Sequence, residues 1–197
     1  MRKGFSTLIV AMAMSSIILV LTIANNVQMS EQISIKSSIS NTNNGDFGKF
    51  KSNKFSFEYP SDWSVGVSQT TINDDSSTFI KLKKNNSEKI KILLYQSKDV
   101  YGVDSYGFMK VFESEESMNH DKYKIVYQNA ETYQINNNPA HNVLVEYEGK
   151  DGSGKALDIF QIIDDKIFVL RYYAPDSSFD KNKDTINDLL STIKIYK

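Results

Sequence analysis

The chain has 197 residues, 40% hydrophobic, 12% aromatic and 24% charged, with 23 Lys and Arg against 24 Asp and Glu for a net charge of -1. That composition suits a globular domain with a real core plus an appendage, and it gives no bulk electrostatic pull toward nucleic acid, so no nucleic-acid partner is expected. Cysteine is absent from the sequence, which excludes disulfides, thiolate metal sites, Cys nucleophiles and a lipidated N-terminal Cys.

Met1-Arg2-Lys3-Gly4 is a short basic head, followed by the uncharged apolar run Phe5–Ala24. A helix of about 20 apolar residues spans a hydrocarbon core of roughly 30 Å, so residues 1–24 are read as a membrane anchor. A cleaved secretory signal is the alternative, because Thr22-Ile23-Ala24 places small residues before a break. Arg2 and Lys3 would hold the head in the cytoplasm. The expected location is therefore the cell membrane, single-pass, with the C-terminal domain outside the cytoplasm, or secreted after cleavage. Expected partners are the membrane through Phe5–Ala24 and an extracytoplasmic protein or small ligand. Lys3-Gly4-Phe5 also resembles the processing site of type IV pilin-like proteins, implying a secreted structural subunit cleaved after Gly4. Bacterial pilins carry Glu five residues into the mature chain, where this sequence has Ile9.

Residues 25–54 are dense in Asn, Ser, Thr and Gly without sustained apolar periodicity, and read as a flexible spacer. The folded domain is expected over 55–197. Phe55, Phe57 and Tyr59 alternate with Ser56 and Glu58, a strand facing a core. Pro60-Ser61-Asp62 is turn chemistry, and Trp63, Val65 and Val67 begin a second strand. Strands follow at Thr78–Leu82 and Ile90–Tyr95 around the polar turn Lys83–Lys89. Asp104–Met118 reads as a helix capped by Ser105, with Phe108, Val111 and Phe112 on one face. Tyr123–Tyr127 and Thr132–Ile135 resume strand character before Asn136-Asn137-Asn138-Pro139 breaks the chain.

The organising stretch is Val143–Tyr173: strand Val143–Glu148, turn Gly149–Lys155, strand Ala156–Ile163, turn Asp164–Lys166 and strand Ile167–Tyr173. Ile167, Val169 and Tyr173 lie on one pleat face, and Phe168, Leu170 and Tyr172 on the other. A strand apolar on both faces needs cover on both, so this stretch belongs in the middle of a layered domain. Ser177 and Asp180 suggest a capping box opening a helix to about Ser191, and Ile193–Tyr196 a closing strand.

Phe57-Glu58-Tyr59-Pro60-Ser61-Asp62-Trp63 is similar to the opening of PsbP-like domains. Tyr133-Gln134-Ile135-Asn136 leading through Pro139-Ala140 into a long strand resembles the same family. So does the aromatic strand Ile167–Tyr173 before a helix with Phe179 and Leu189-Leu190-Ser191-Thr192-Ile193. The resemblance covers about Phe55 to Tyr196. It implies an α+β fold, an α-β-α sandwich around a mostly antiparallel sheet, here preceded by one N-terminal transmembrane helix. The family's founder is an extrinsic lumenal protein of photosystem II that helps retain calcium and chloride. The stand-alone prokaryotic members are the nearer kind, and the resemblance implies a non-enzymatic binding or accessory role.

Gly149-Lys150-Asp151-Gly152-Ser153-Gly154-Lys155-Ala156 nearly spells a phosphate loop, but Ala156 stands where Ser or Thr would hold Mg²⁺, and a strand follows in place of a helix. His120 and His141 are the only histidines, without zinc spacing. Asp74, Asp75, Asp164 and Asp165 fall in turns and are the candidates for a divalent cation such as calcium, although turns select Asp for backbone reasons too. No cofactor and no catalytic residue is expected, because no nucleophile–base pattern is visible. Arg171 shares a strand face with Val169 and Tyr173. A charge there needs a partner, either Glu146 or Asp158, or its head in water at the strand end; a ligand-gripping role is the other reading.

Overall fold

The structure, a computed structural model, describes residues 47–72, 75–97, 100, 103–149 and 152–196. Among them the strands are β1 (Phe47–Lys51), β2 (Phe55–Pro60), β3 (Ser64–Ile72), β4 (Asp75–Lys83), β5 (Lys89–Gln96), β6 (Lys122–Ile135), β7 (Asn138–Gly149), β8 (Gly152–Ile163), β9 (Lys166–Ala174) and β10 (Lys194–Ile195). The helices are α1 (Ser105–Met118), α2 (Asp176–Phe179) and α3 (Lys183–Thr192). Seven strands form one sheet in the order β3-β4-β5-β9-β8-β7-β6, and β1-β2-β10 form a second, with every neighbouring pair antiparallel.

β9 is the middle strand, and all nine of its residues are buried. Its two apolar faces meet two different layers. Ile167, Val169 and Tyr173 join Leu93, Phe160, Phe108 and Phe112 beneath α1. Phe168, Leu170 and Tyr172 face Phe55 and Phe57 of the small sheet and Phe179, Ile186 and Leu189 of the C-terminal helices. Each such side chain contributes about 1.5–3 kcal/mol by leaving water. Trp63 is 4% exposed and packs in the second layer together with Tyr59. Its amide donates to the Pro60 carbonyl at 3.0 Å, which closes the turn into β3.

Local chemistry explains the joints. Asn136 (φ 52°) and Asn137 (φ 62°) adopt the left-handed conformation that a tight two-residue hairpin requires between β6 and β7. Asn136 Nδ2 donates to the Ile195 carbonyl at 2.9 Å, and its Oδ1 accepts from the Ile195 amide at 3.2 Å, which ties this turn to β10. Gly154 is fixed by close approach: a Cβ there would sit 2.3 Å from the Ala174 carbonyl oxygen.

Several boundaries differ from those read in sequence. β1, paired along its length with β2, falls in the stretch read as spacer. The two short strands between Tyr123 and Ile135 are one strand, β6, kept continuous by irregularities at Ile125/Tyr127 and Ala130/Tyr133. Asp104, not Ser105, caps α1, its Oδ2 accepting from the Gly107 amide at 2.7 Å. The buried face of α1 is Phe108, Met109, Phe112, Glu113 and Glu116. The C-terminal helix starts after Pro175 without a side-chain cap and is interrupted by a 3-10 turn at Asp180–Asn182.

The transmembrane helix placed before the domain is corrected. No helix among the described residues is long and apolar enough to cross a membrane, and Phe5–Ala24 lies outside the described residues. The fold described is thus the α+β domain alone.

Candidate functional site

The antiparallel register of β4, β5, β9 and β8 lines up four charged residues. Lys81 lies opposite Lys91, Lys91 opposite Arg171, and Arg171 opposite Asp158. One pleat further on, Lys83 lies opposite Lys89 and Lys89 opposite Tyr173. All of these residues point to the side of the sheet that carries α1, the face of Tyr173.

Arg171 is 3% exposed and Asp158 0%, so the guanidinium is buried rather than reaching water at the strand end. Nε meets Asp158 Oδ1 at 2.5 Å and Nη2 meets Oδ2 at 2.6 Å, a two-pronged pair. Nη1 bonds Glu116 of α1, and Nη2 also donates to Tyr123 Oη at 2.8 Å. Glu113 lies 3.8 Å from Nη2 and accepts from Tyr123 Oη. Glu146 pairs instead with Lys124 at 3.0 Å on the edge of the sheet. The cluster fastens α1 to β6, β8 and β9.

Three buried carboxyls around one cation cannot all be charged. Burial, then the Asp158 charge, pushes Glu113 up to about 9. Burial raises Asp158 as well, opposed by the charge and hydrogen bonds of Arg171. Glu113, whose Oε1 has no hydrogen-bond partner, is thus the carboxyl that burial disposes to hold a proton. Burial also works against the Glu116 charge, yet Arg171 and then His120 hold that group down to about 2. Opposite Arg171 on β5, burial lowers Lys91 to about 8, and Lys89, Arg171 and Lys81 add to the shift while Glu116 opposes it. The ammonium groups of Lys89 and Lys91 stand 5.0 and 5.1 Å from the centroid of the same ring, that of Tyr173.

Of the carboxylates proposed as calcium ligands, Asp74 lies outside the described residues, as does the side chain of Asp75. Asp164, in the left-handed conformation at φ 54°, and Asp165 form the β8–β9 turn. Asp165 Oδ1 meets Lys166 Nζ at 2.8 Å and Oδ2 accepts from Gln96 Nε2 at 2.8 Å. No group of three or more His, Asp or Glu among the described residues could hold a metal ion. His120, in the loop between α1 and β6, stacks on Tyr123, with ring centroids 5.6 Å apart. His141 packs near Tyr106. The chain from Gly152 onward is strand, so the phosphate-loop look-alike has no helix to complete it.

Sequence reading missed Glu113, Glu116 and the lysine rows. The signals were present: two acids three residues apart beside Phe112, and Lys at alternate positions on both sides of the Lys83–Lys89 turn. Folding that turn symmetrically sets the pairs face to face.

Residues 7–195 match the PsbP-like protein family. The chain belongs to this family, whose members are non-catalytic accessory proteins. Among solved structures, cyanobacterial PsbP (CyanoP) from Synechocystis sp. PCC 6803 is 12% identical, with a TM-score of 0.52 over 86% of this chain and 99% of that one. At that identity the likeness shows the fold. A protein from Bacteroides thetaiotaomicron is 15% identical over 78% of this chain and 50% of its own, with a TM-score of 0.48. A Pseudomonas aeruginosa protein of unknown function, a putative regulator, is 8% identical over 74% and 96%, with a TM-score of 0.41. No curated protein matches the chain.

These findings correct the functional expectations attached to the N-terminus. The family match takes in residues 7–24 together with the domain, and no described helix crosses a membrane. Membrane anchoring through Phe5–Ala24, the cleaved signal, the single-pass extracytoplasmic placement and the pilin-like subunit processed after Gly4 are therefore withdrawn. Apolar length is a necessary condition for spanning and not a sufficient one, and a basic-Gly-Phe triplet carries little information.

Proposed function

We propose that this chain is a non-enzymatic accessory protein that acts by binding an anionic group of its partner on the lysine face of β4 and β5. The observation that carries the reading is the pairing of Lys81 with Lys91 and of Lys83 with Lys89 across one antiparallel ladder. Like charges directly opposite one another destabilise a sheet. In a chain of net charge -1, Lys81, Lys83, Lys89 and Lys91 gather beside Arg171, which supports reading this face as the positively charged surface of the domain. Arg171 itself is engaged by Asp158 and Glu116 inside the fold, which suits anchoring of α1 better than turnover.

The test is retention of the full-length protein on phosphocellulose at pH 7.5 and low salt. Its net charge alone predicts flow-through, and the lysine face predicts retention that falls with salt. Lys81→Gln together with Lys83→Gln should abolish retention. Flow-through of the unmodified protein would refute the reading.

A further inference from the structure

The layer packed on the other face of the large sheet, away from α1, carries an open cleft of about 360 Å³. It is lined by Phe47, Pro60, Ser61, Asp62, Thr185 and Asp188. That volume falls within the roughly 300–1,000 Å³ of ordinary ligand pockets. The elements around it are held in place. Phe47 lies opposite Pro60 in the β1–β2 ladder, and the Trp63 amide closes the following turn on the Pro60 carbonyl at 3.0 Å. α3 is tied to the same strand, because Thr192 Oγ1 accepts from the Glu58 amide of β2 at 2.9 Å.

The lining divides by chemistry. Phe47, 48% exposed, and Pro60 make an apolar side, while Asp62 from the turn and Asp188 from α3 bring carboxyl groups. The nearby cations are already engaged: Lys49 meets Glu58 at 3.1 Å and Lys183 meets Asp180 at 2.6 Å. Among the described residues no ion pair takes up Asp62 or Asp188. A groove with one apolar side and two unneutralised acids complements an organic cation. A calcium ion takes about six to eight oxygens and gains nothing from an aromatic ring, so two carboxylates beside Phe47 do not suit it. Lysine offers a compact, strongly hydrated ammonium, whereas the planar guanidinium of arginine stacks on a ring and presents a fork of N–H donors to carboxylates.

We propose that this cleft seats an arginine side chain of a protein partner, its guanidinium plane against the Phe47 ring and its N–H groups on Asp62 and Asp188. The site lies in a different layer from the lysine face and stands independently of it.

The experiment is a titration of the full-length protein with the peptide acetyl-Gly-Arg-Gly-amide, followed by the backbone amide resonances in NMR. Saturable shifts at Phe47, Ser61, Asp62, Thr185 and Asp188 are expected, with a Kd of about 1–10 mM for contacts this exposed. The neutral isostere acetyl-Gly-citrulline-Gly-amide should leave those resonances in place. Asp62→Asn/Asp188→Asn, both at exposed positions, should weaken the arginine peptide about tenfold. Shifts that stay linear well beyond the expected Kd, equal binding of the citrulline peptide, or unchanged affinity of the double variant would each overturn the proposal. Equal binding of acetyl-Gly-Lys-Gly-amide would overturn the choice of arginine. Should the double variant fail to fold, Asp62→Asn alone replaces it: about threefold weaker binding supports the site, and unchanged binding overturns it. Shifts of the same residues with protein concentration, in the absence of peptide, would assign the cleft to a second copy of the chain. Their movement on Lys36→Gln would assign it to the chain's own N-terminal segment; either result overturns the partner-arginine proposal.

Discussion

Removing Arg171 tests whether the buried cluster is what fastens α1 to the sheet. Arg171→Met keeps the stem and deletes the charge, leaving Asp158, 0% exposed, and Glu116 facing each other without a cation. Breaking a buried ion pair from one side costs about 3–5 kcal/mol, a large part of a typical total stability of about 5–15 kcal/mol. For a domain of this size each kcal/mol moves Tm by about 2–4 °C, so the variant should melt roughly 6–20 °C lower. The control is Arg171→Met combined with Asp158→Leu and Glu116→Met, which removes all the charges together. Replacing a whole buried pair with apolar groups of similar volume is often neutral or stabilising, so the triple variant should recover most of the loss. Circular dichroism melts of both proteins at pH 7 read the difference. If Arg171→Met melts within about 2 °C of the unmodified protein, the cluster is solvated and the placement of α1 has another cause.

Glu113 gives a pH signature. Its folded-state pKa rises from 4.5 to about 9. The folded state therefore holds the extra proton between those values, and stability falls with rising pH by up to about 1.4 kcal/mol per unit. Denaturant titrations of Glu113→Gln from pH 5 to 9 should lack that slope. The Glu116 pKa is depressed from 4.5 to about 2, so its stabilisation is complete above about pH 4.5 and lost as pH falls toward 2; Glu116→Gln should be the less acid-sensitive protein in the same titration, taken down to pH 2. Trp63→Ala should cost about 3–5 kcal/mol, because Trp63 is buried among Tyr59 and its neighbours; an unchanged melting temperature would contradict that packing. Gly154→Ala should cost about 1–3 kcal/mol, since its Cβ would collide with the Ala174 carbonyl, and a denaturation midpoint equal to that of the unmodified protein would show that the strands can part there.

Apolar residues on both faces of Ile167–Tyr173 determined by themselves that this strand lies in the middle of a layered domain, because a strand with two apolar faces has no stable place at a surface, whereas the antiparallel α+β architecture was implied by the family resemblance. The Tyr-Pro and Trp63 signals likewise carried the PsbP-like family, since turn and packing chemistry are local. The apolar head lies outside the described residues, and hydropathy reports only what such a segment would tolerate. The rest depended on distance in space. Arg171 and Glu116 are 55 residues apart in the chain and meet only when α1 lies across β9. Lys81 faces Lys91 only once the β4–β5 register is set, and a shift of one residue would send both lysines to the opposite layer. The sequence showed which residues carry charge; tertiary structure alone decided which charges face one another, because that follows from strand register and helix placement, to which no single segment holds the information.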